Sequence, residues 1–388
     1  MSAAGRRLPA ATGREFLGRH QSLSIVIAAA VVTTILPLVA LVPPFSGFGN
    51  LDVWVGTFAN AGVFVLLALG LNVVVGLAGL LDLGYAAFFA IGAYTMAYGN
   101  SAFTGLNVPF WVMLVVGAIV AAIFGIFLGA PTLRLRGDYL AIVTLGFGEI
   151  VPVVFRNADT YTRGTNGITG IGQPNLYGLL GINGFGFTNQ WPYYVTIAVI
   201  ITIAVIFLYR LQDSRLGRAW VAIREDELAA ASMGINTVTT KLLAFAIGAS
   251  TSGFAGVFYA AKLSTIAPDS FGFTVSFTAL AMVVLGGMGN IWGVSAGAFI
   301  IYELQTQGLK QLDSFVKSLH LAPIGPVDLN AINFINYQYL LYGLALVLMM
   351  LFRPEGLFPS RRRREELREA EPAGGVDELT TGDPTGAA

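Results

Sequence analysis

Cysteine is absent from all 388 residues. That removes disulfides, thiolate metal sites and cysteine nucleophiles from consideration. Histidine occurs twice, as His20 and His320, both in polar flanks, so histidine metal sites and proton relays lack their ligand. Charge is scarce, at 11% of residues against about 25% in soluble domains. Lys plus Arg is 22 and Asp plus Glu is 22, so no basic excess marks a nucleic-acid partner. No Gly-Lys dipeptide occurs, which excludes a Walker A loop, and no G-x-G-x-x-G follows a strand pattern. No metal and no cofactor are expected.

What is abundant is apolar surface. Hydrophobic residues make up 55% of the chain, more than a soluble core of this size hides, so the surplus must face lipid. The reading is an all-α, polytopic integral membrane protein. About 20 residues cross a bilayer core, and ten apolar runs suit that length: 23–42, 54–76, 84–99, 109–130, 139–155, 191–209, 241–261, 274–286, 291–308 and 337–352. Two are halves of longer stretches. Gly76, Gly79, Asp82 and Gly84 break 54–99, and Gly286-Gly287-Met288-Gly289-Asn290 breaks 274–308. Irregular backbone at membrane depth is tolerated only inside protein or along a cavity; the same glycines would also let helices pack closely. Four arginines precede the first run, as in a signal peptide. Its length and the lack of an A-x-A site favour a retained span.

The loops carry an asymmetry. With ten spans and both termini cytoplasmic, 17 basic residues fall inside; Arg156, Arg163, Lys262, Lys310 and Lys317 fall outside, as the positive-inside rule requires. This divides the chain into a cytoplasmic N-terminal segment, 1–22, a transmembrane domain, 23–355, and a cytoplasmic tail, 356–388, too polar to fold alone. Within the domain, 157–190 is an extracytoplasmic loop rich in Gly, Asn and Thr, and 210–240 is a charged cytoplasmic loop. Arg361 to Arg364 either meet anionic lipid heads or act as a plain stop-transfer signal.

Gly293-Val-Ser295-Ala-Gly297 matches a nucleophile elbow but has no histidine to serve as base. Gly289, Gly293 and Gly297 read better as a close-contact ladder, and Gly125 and Gly129 repeat the device. Asp82, Glu149 and Glu303 lie in or beside spans, where a carboxylate is costly unless solvated or paired. Asp82 either serves a route through the membrane or caps the helix beginning near Gly84. Glu149 either serves that route or pairs with Arg156, two turns on. Asn72 and Asn290 either line a polar path or tie helices together. The loop segment 218–233 is Ala-rich and free of Gly and Pro, which predicts one short helix ending at Gly234. Its acids Glu225, Asp226 and Glu227, with Arg224 before them and Ala229 and Ala230 after, form a charged, small-residue face suited to a soluble partner.

Here a resemblance becomes specific. Glu227-Leu-Ala229-Ala230 followed by Gly234 resembles the E-A-A…G loop of ABC importer permeases, which fits a groove on the ATPase subunit. Gly70-Leu-Asn72 through Asp82-Leu-Gly-Tyr85 to Tyr94, Leu133-Arg-Leu-Arg-Gly-Asp138, Gly148-Glu149-Ile, Thr165-Asn166-Gly167, Ser214-Arg-Leu-Gly-Arg-Ala, Val284-Leu-Gly-Gly-Met-Gly-Asn290 and Leu351-Phe-Arg-Pro-Glu-Gly-Leu357 are similar to the M-type permease subunit of branched-chain amino-acid importers. They run in family order over about residues 60–357. Two departures stand near the outer mouth: Arg163-Gly164 where the family often has Gly-Gly, and Pro152 where many members have Arg. The resemblance implies a non-enzymatic permease of a prokaryotic plasma membrane. Its partners would be a second homologous permease, two ABC ATPases and an extracytoplasmic binding protein. Arg224, Glu225, Asp226, Glu227, Ala229, Ala230 and Gly234 would couple to the ATPase. Asn72, Asp82, Tyr85, Glu149 and Asn290 are candidates for the translocation path.

Three alternatives differ in what they need. A urea or short-amide permease shares nearly the same words. An ion-coupled secondary transporter would also have broken helices but needs no docking loop. A membrane hydrolase would need the missing His and Cys.

Overall fold

The computed structural model describes residues 51–132, 138–174, 185, 189–318, 334–353 and 356–358. The expected first span, 23–42, the pair Arg134 and Arg136, and the tail from 359 onward lie outside the described residues, as do His20 and His320.

The regular structure of the described chain is helical apart from one antiparallel ribbon of two residues per strand. The long helices are α1 (Leu51–Leu71, continued as a π-helix over Asn72–Leu77), α2 (Ala86–Gly99), α3 (Phe110–Thr132), α4 (Asp138–Asn157), α6 (Trp191–Gln212) and α9 (Thr237–Leu263). Shorter ones are α5 (Asp159–Thr162), α7 (Arg215–Glu225), α8 (Glu227–Ser232), α10 (Phe273–Gly286), α11 (Ile291–Glu303), α12 (Leu309–Ser318) and α13 (Gln338–Phe352). A second π-helix, Leu304–Gly308, joins α11 to α12. Each apolar run expected after the first coincides with a helix. Among the described residues, six helices are long and apolar enough to cross a membrane: Leu51–Leu77, Phe110–Thr132, Tyr139–Asn157, Trp191–Gln212, Thr237–Leu263 and Pro268–Gly286. The molecule is a polytopic α-helical membrane protein. At 14 residues, α2 spans only about 21 Å, as befits the second half of a broken element.

Burial separates inner from outer helices. The most apolar window of α1 is 89% buried, against 39% for α3, 33% for α6 and 28% for α4. Isoleucine, valine and phenylalanine side chains on α3, α4 and α6 stand exposed, among them Ile119, Phe127, Ile142 and Ile203, which is the pattern of lipid-facing helices. α9 packs against α3, α2 and α1 at the centre. Small residues permit this: a Cβ on Gly92 of α2 would lie 2.5 Å from the Gly253 carbonyl oxygen of α9, so the two backbones touch. Gly125 and Gly129 meet Ala249 and Phe245 of α9, as the ladder pattern predicts.

Both expected breaks are present. Residues 78–85 leave helical geometry between α1 and α2. Gly287 (φ 113°) and Gly289 (φ 80°) turn the chain between α10 and α11. Gly289 therefore stands in the turn and not on the expected ladder; Gly293 and Gly297 alone pack from α11 onto Gly286 of α10. Asn290 forces that change by capping α11, its Oδ1 accepting from Trp292 N and Gly293 N at 3.1 and 3.2 Å.

The two ends of the bundle differ. At one, the ribbon pairs Ile168–Thr169 antiparallel with Thr265–Ile266, and Ser101 bridges to Ile171. The start of the 157–190 segment is ordered turns plus the short α5, a helix its composition did not announce. At the other end α7 and α8 project. These are called below the ribbon end and the loop end.

Candidate functional site

The loop between α6 and α9 is built by capping. Ser214 Oγ accepts from Gly217 N at 3.3 Å and starts α7. Trp220 of α7 is fully buried and its indole Nε1 donates to the Thr240 carbonyl at 2.7 Å, anchoring the loop to α9. The single helix expected over 218–233 is in fact two. Asp226 is extended (φ −152°, ψ 109°), and its Oδ1 accepts from Leu228 N at 2.8 Å and Ala229 N at 3.0 Å. An aspartate that bonds the next turn's amides starts a helix better than it continues one. The far end follows expectation: Gly234 has φ 85°, and Ile235 N and Gly234 N donate to the Ala230 and Ala231 carbonyls, the six-to-one and five-to-two bonds of a Schellman cap.

The expected coupling residues divide by placement. Glu225, Asp226, Ala229 and Gly234 are exposed. Ala230 is buried, so it packs under α8 and offers no face. Glu227 forms an ion pair with Lys241 of α9 at 2.6 Å. Two residues absent from the sequence reading dominate the exposed side: Leu228 at 69% and Met233 at 84% exposure. The signal lay in the apolar residues flanking the alanines, which an amphipathic reading assigns to the core by default.

Arg224 points the other way. Its Nη1 donates to the Gly76 carbonyl in the π-helix at 2.6 Å, and its stem crosses Gly79, where a Cβ would lie 2.7 Å from Arg224 Cγ. From the same π-helix, Asn72 Oδ1 accepts from Gly289 N at 2.8 Å. Gln212 Nε2 donates to the Gly289 carbonyl at 3.3 Å. Asn290 Nδ2 donates to the Phe358 carbonyl at 2.8 Å. Arg224, Asn72 and Asn290 thus converge where the loop, the π-helix and the second break meet, and both asparagines tie segments together.

Asp82 and Tyr85 sit deeper, each 1% exposed. Asp82 Oδ1 accepts from Gly84 N at 2.9 Å; among the described residues Oδ2 is buried without a hydrogen-bond partner. Asp82, Thr144, Thr132, Gly129, Phe88 and Phe245 help line a cavity of about 10 Å³, the room of a single water. Asp82 shapes the turn before α2 and does not cap the helix itself: Ser276 Oγ accepts from Ala86 N at 2.9 Å. The Tyr85 hydroxyl donates to the Gly248 carbonyl at 2.7 Å, fastening the turn between α1 and α2 to α9. Glu149 stands apart, exposed on α4. The expected Glu149–Arg156 pair is not formed: Arg156 pairs with Asp269, and Glu149 Oε1 accepts from Phe273 N at 3.3 Å. Arg156 ends α4 beside the 3₁₀ turn that carries Asp269, so the nearer acid lies across helices and not along one. Ser295 Oγ donates to the Ile291 carbonyl within α11 at 2.8 Å, as an ordinary helix serine does.

A bundle of membrane helices, two of its elements interrupted and hydrogen-bonded to a capped, exposed loop helix, has the build of a polytopic membrane permease. The family model for the branched-chain amino acid transport system permease component matches residues 54–350. The chain is 39% identical over 357 residues to the high-affinity branched-chain amino acid transport system permease protein LivM of Salmonella typhimurium, covering 87% of this chain and 77% of that one. It is 41% identical over 323 residues to LivM of Escherichia coli K12, covering 79% and 70%. LivH of Escherichia coli K12, the permease protein of the same name class, is 28% identical over 252 residues, covering 61% and 79%. No solved structure matches the chain. The protein belongs to this family of transport permeases.

Proposed function

We propose that this chain is the membrane permease subunit of an ABC importer for branched-chain or similar amino acids, and that it performs no chemistry on its cargo. The observation that carries the reading is the loop. α8 is capped at both ends, presents Leu228 and Met233 outward, and is joined through Arg224 to the discontinuous backbone at Gly76 and Gly79. A soluble ATPase that grips α8 pulls directly on the broken element. ATP-driven closure then biases two helix packings of similar free energy, one open outward and one inward. The loop end is cytoplasmic, the ribbon end faces the extracytoplasmic binding protein, and both termini are cytoplasmic.

α4 supports a second, homologous permease. Glu149 is exposed within a span, and a carboxylate facing hydrocarbon costs several kcal/mol. Covering this face with the partner subunit, or with the route between the two, relieves that cost. Asn72, Asp82 and Tyr85 hold the re-entrant backbone in shape beside the route.

The test is ATP-dependent uptake by proteoliposomes holding the full importer, with leucine, isoleucine, valine and urea as cargo. Saturable uptake of the three amino acids supports the reading. Uptake of urea alone assigns the chain to the short-amide permeases. Uptake driven by an ion gradient without ATP overturns it.

A further inference from the structure

The ribbon end holds a buried cation on neutral partners. Lys262, the penultimate residue of α9, is 8% exposed. Its ammonium donates to two neutral acceptors on α1, the Gly56 carbonyl at 2.7 Å and Asn60 Oδ1 at 2.6 Å. Among the described residues no carboxylate pairs with it. A lysine at a helix end ordinarily extends to the interface, where its charge is hydrated. This one turns inward, and an ammonium has three donors, of which two are used. A carboxyl stands on the facing helix: Glu303 of α11 lies one turn before Gln307, whose amide donates to Thr57 of α1 at 3.2 Å, and among the described residues its two oxygens are buried without a partner. Tyr302 precedes Glu303 on α11, and its ring meets Phe64 of α1, one turn on from Asn60, at 4.9 Å. Asn60, Phe64 and Tyr302 are half-buried, so the cluster is not sealed inside the bundle. The π-helix Leu304–Gly308 begins next to Glu303, and such distortions concentrate at functional positions.

We propose that Lys262 and Asn60 form a carboxylate-binding station at the ribbon end of the translocation route, where cargo is taken up before it crosses. Buried apart and unpaired, an amine and a carboxyl are held toward their neutral forms in the empty protein, because neither charge is compensated. The charged forms become favourable when a ligand brings both missing charges. A zwitterion with an apolar side chain fits: its carboxylate takes the third donor of Lys262, Glu303 supplies the balancing negative charge, and Phe64 and Tyr302 give an apolar wall. A neutral amide gains no such charge-assisted bond. This station rests on the amino-acid importer reading above.

The absence of cysteine from this chain lets a single thiol be placed in it. In the full importer, with leucine as probe, Lys262→Met is expected to lower uptake efficiency about tenfold or more, the loss of one charge-assisted hydrogen bond, while Lys262→Arg keeps most of it. Lys262→Cys treated with a methanethiosulfonate bearing an ethylammonium group is expected to regain uptake. The ethylsulfonate reagent is expected not to restore it. Leucine is expected to slow the modification, and leucinol, which lacks the carboxylate, to leave it unchanged. Uptake by the Lys262→Met importer equal to wild type, or modification rates indifferent to leucine, as a lysine that only staples α9 to α1 would give, is the contrary outcome. Either result overturns the station while wild-type leucine uptake still supports the importer. Wild-type uptake of urea without amino acids overturns both.

Discussion

Asp82 uses one carboxylate oxygen on the Gly84 amide and keeps the other buried without a partner among the described residues, so its substitutions separate shape from charge. Asp82→Asn preserves an acceptor of the same size and is expected to retain most transport. Asp82→Leu leaves the Gly84 amide buried and unpaired, a loss of about 1–3 kcal/mol, and is expected to reduce both uptake and the yield of assembled complex in size-exclusion chromatography. Normal assembly of the Asp82→Leu variant with no uptake would instead make the carboxylate a contact of the cargo. Arg163 bears on a departure from the family pattern. It adopts a left-handed conformation (φ 57°), which glycine enters freely, and its guanidinium lies 4.9 Å from the Phe103 ring centre. Arg163→Gly removes the backbone cost and the cation–π contact together, each about 1 kcal/mol. It is expected to shift thermal stability by no more than a few degrees, measured by differential scanning fluorimetry in detergent.

Elements were legible where their signal is local. Spans show in composition because lipid demands unbroken apolar helices. Glycine clusters marked both breaks, and Gly234 marked the end of the loop helix. The split at Asp226 was hidden because helix propensity treats Ala-rich 218–233 as one unit, whereas an aspartate's side chain competes for the backbone amides. Pairings were the least legible. Lys241 meets Glu227 across 14 residues and Arg156 meets Asp269 across 113, distances that no periodicity reports. The loop yields a graded prediction. Asp226→Ala removes the α8 cap, about 1 kcal/mol, and is expected to weaken ATPase copurification. Met233→Gln, at the C-cap of α8, keeps that cap's backbone bonds and is expected to weaken copurification with an unchanged melting curve. Trp220→Ala empties a fully buried site, costs about 3–5 kcal/mol, and is expected to disorder the whole loop, seen as rapid proteolysis between α6 and α9.

At the scale of the molecule, orientation is the statement most open to direct measurement. Single cysteines at 166 and 226 place a label at the ribbon end and at the loop end. A membrane-impermeant maleimide is expected to react at 166 in intact cells and at 226 only after permeabilisation. The opposite pattern would invert the protein in the membrane. Inner and outer helices could not be told apart from sequence, since α1 and α3 are similarly apolar. The difference between 89% and 39% burial arises from which neighbours arrive, and neighbours are a property of the folded chain.

The polar bonds of α1 carry an implication for how the protein is made. Gly76 is bonded by a residue 148 positions later, Asn60 and Gly56 by one 202 and 206 later, Asn72 by one 217 later and Thr57 by one 250 later. Synthesis proceeds at about 5–20 residues per second, so the central helix is inserted many seconds before these partners exist. During that interval its two asparagines lie in lipid without their final bonds. The core of this permease is therefore made early and locked late.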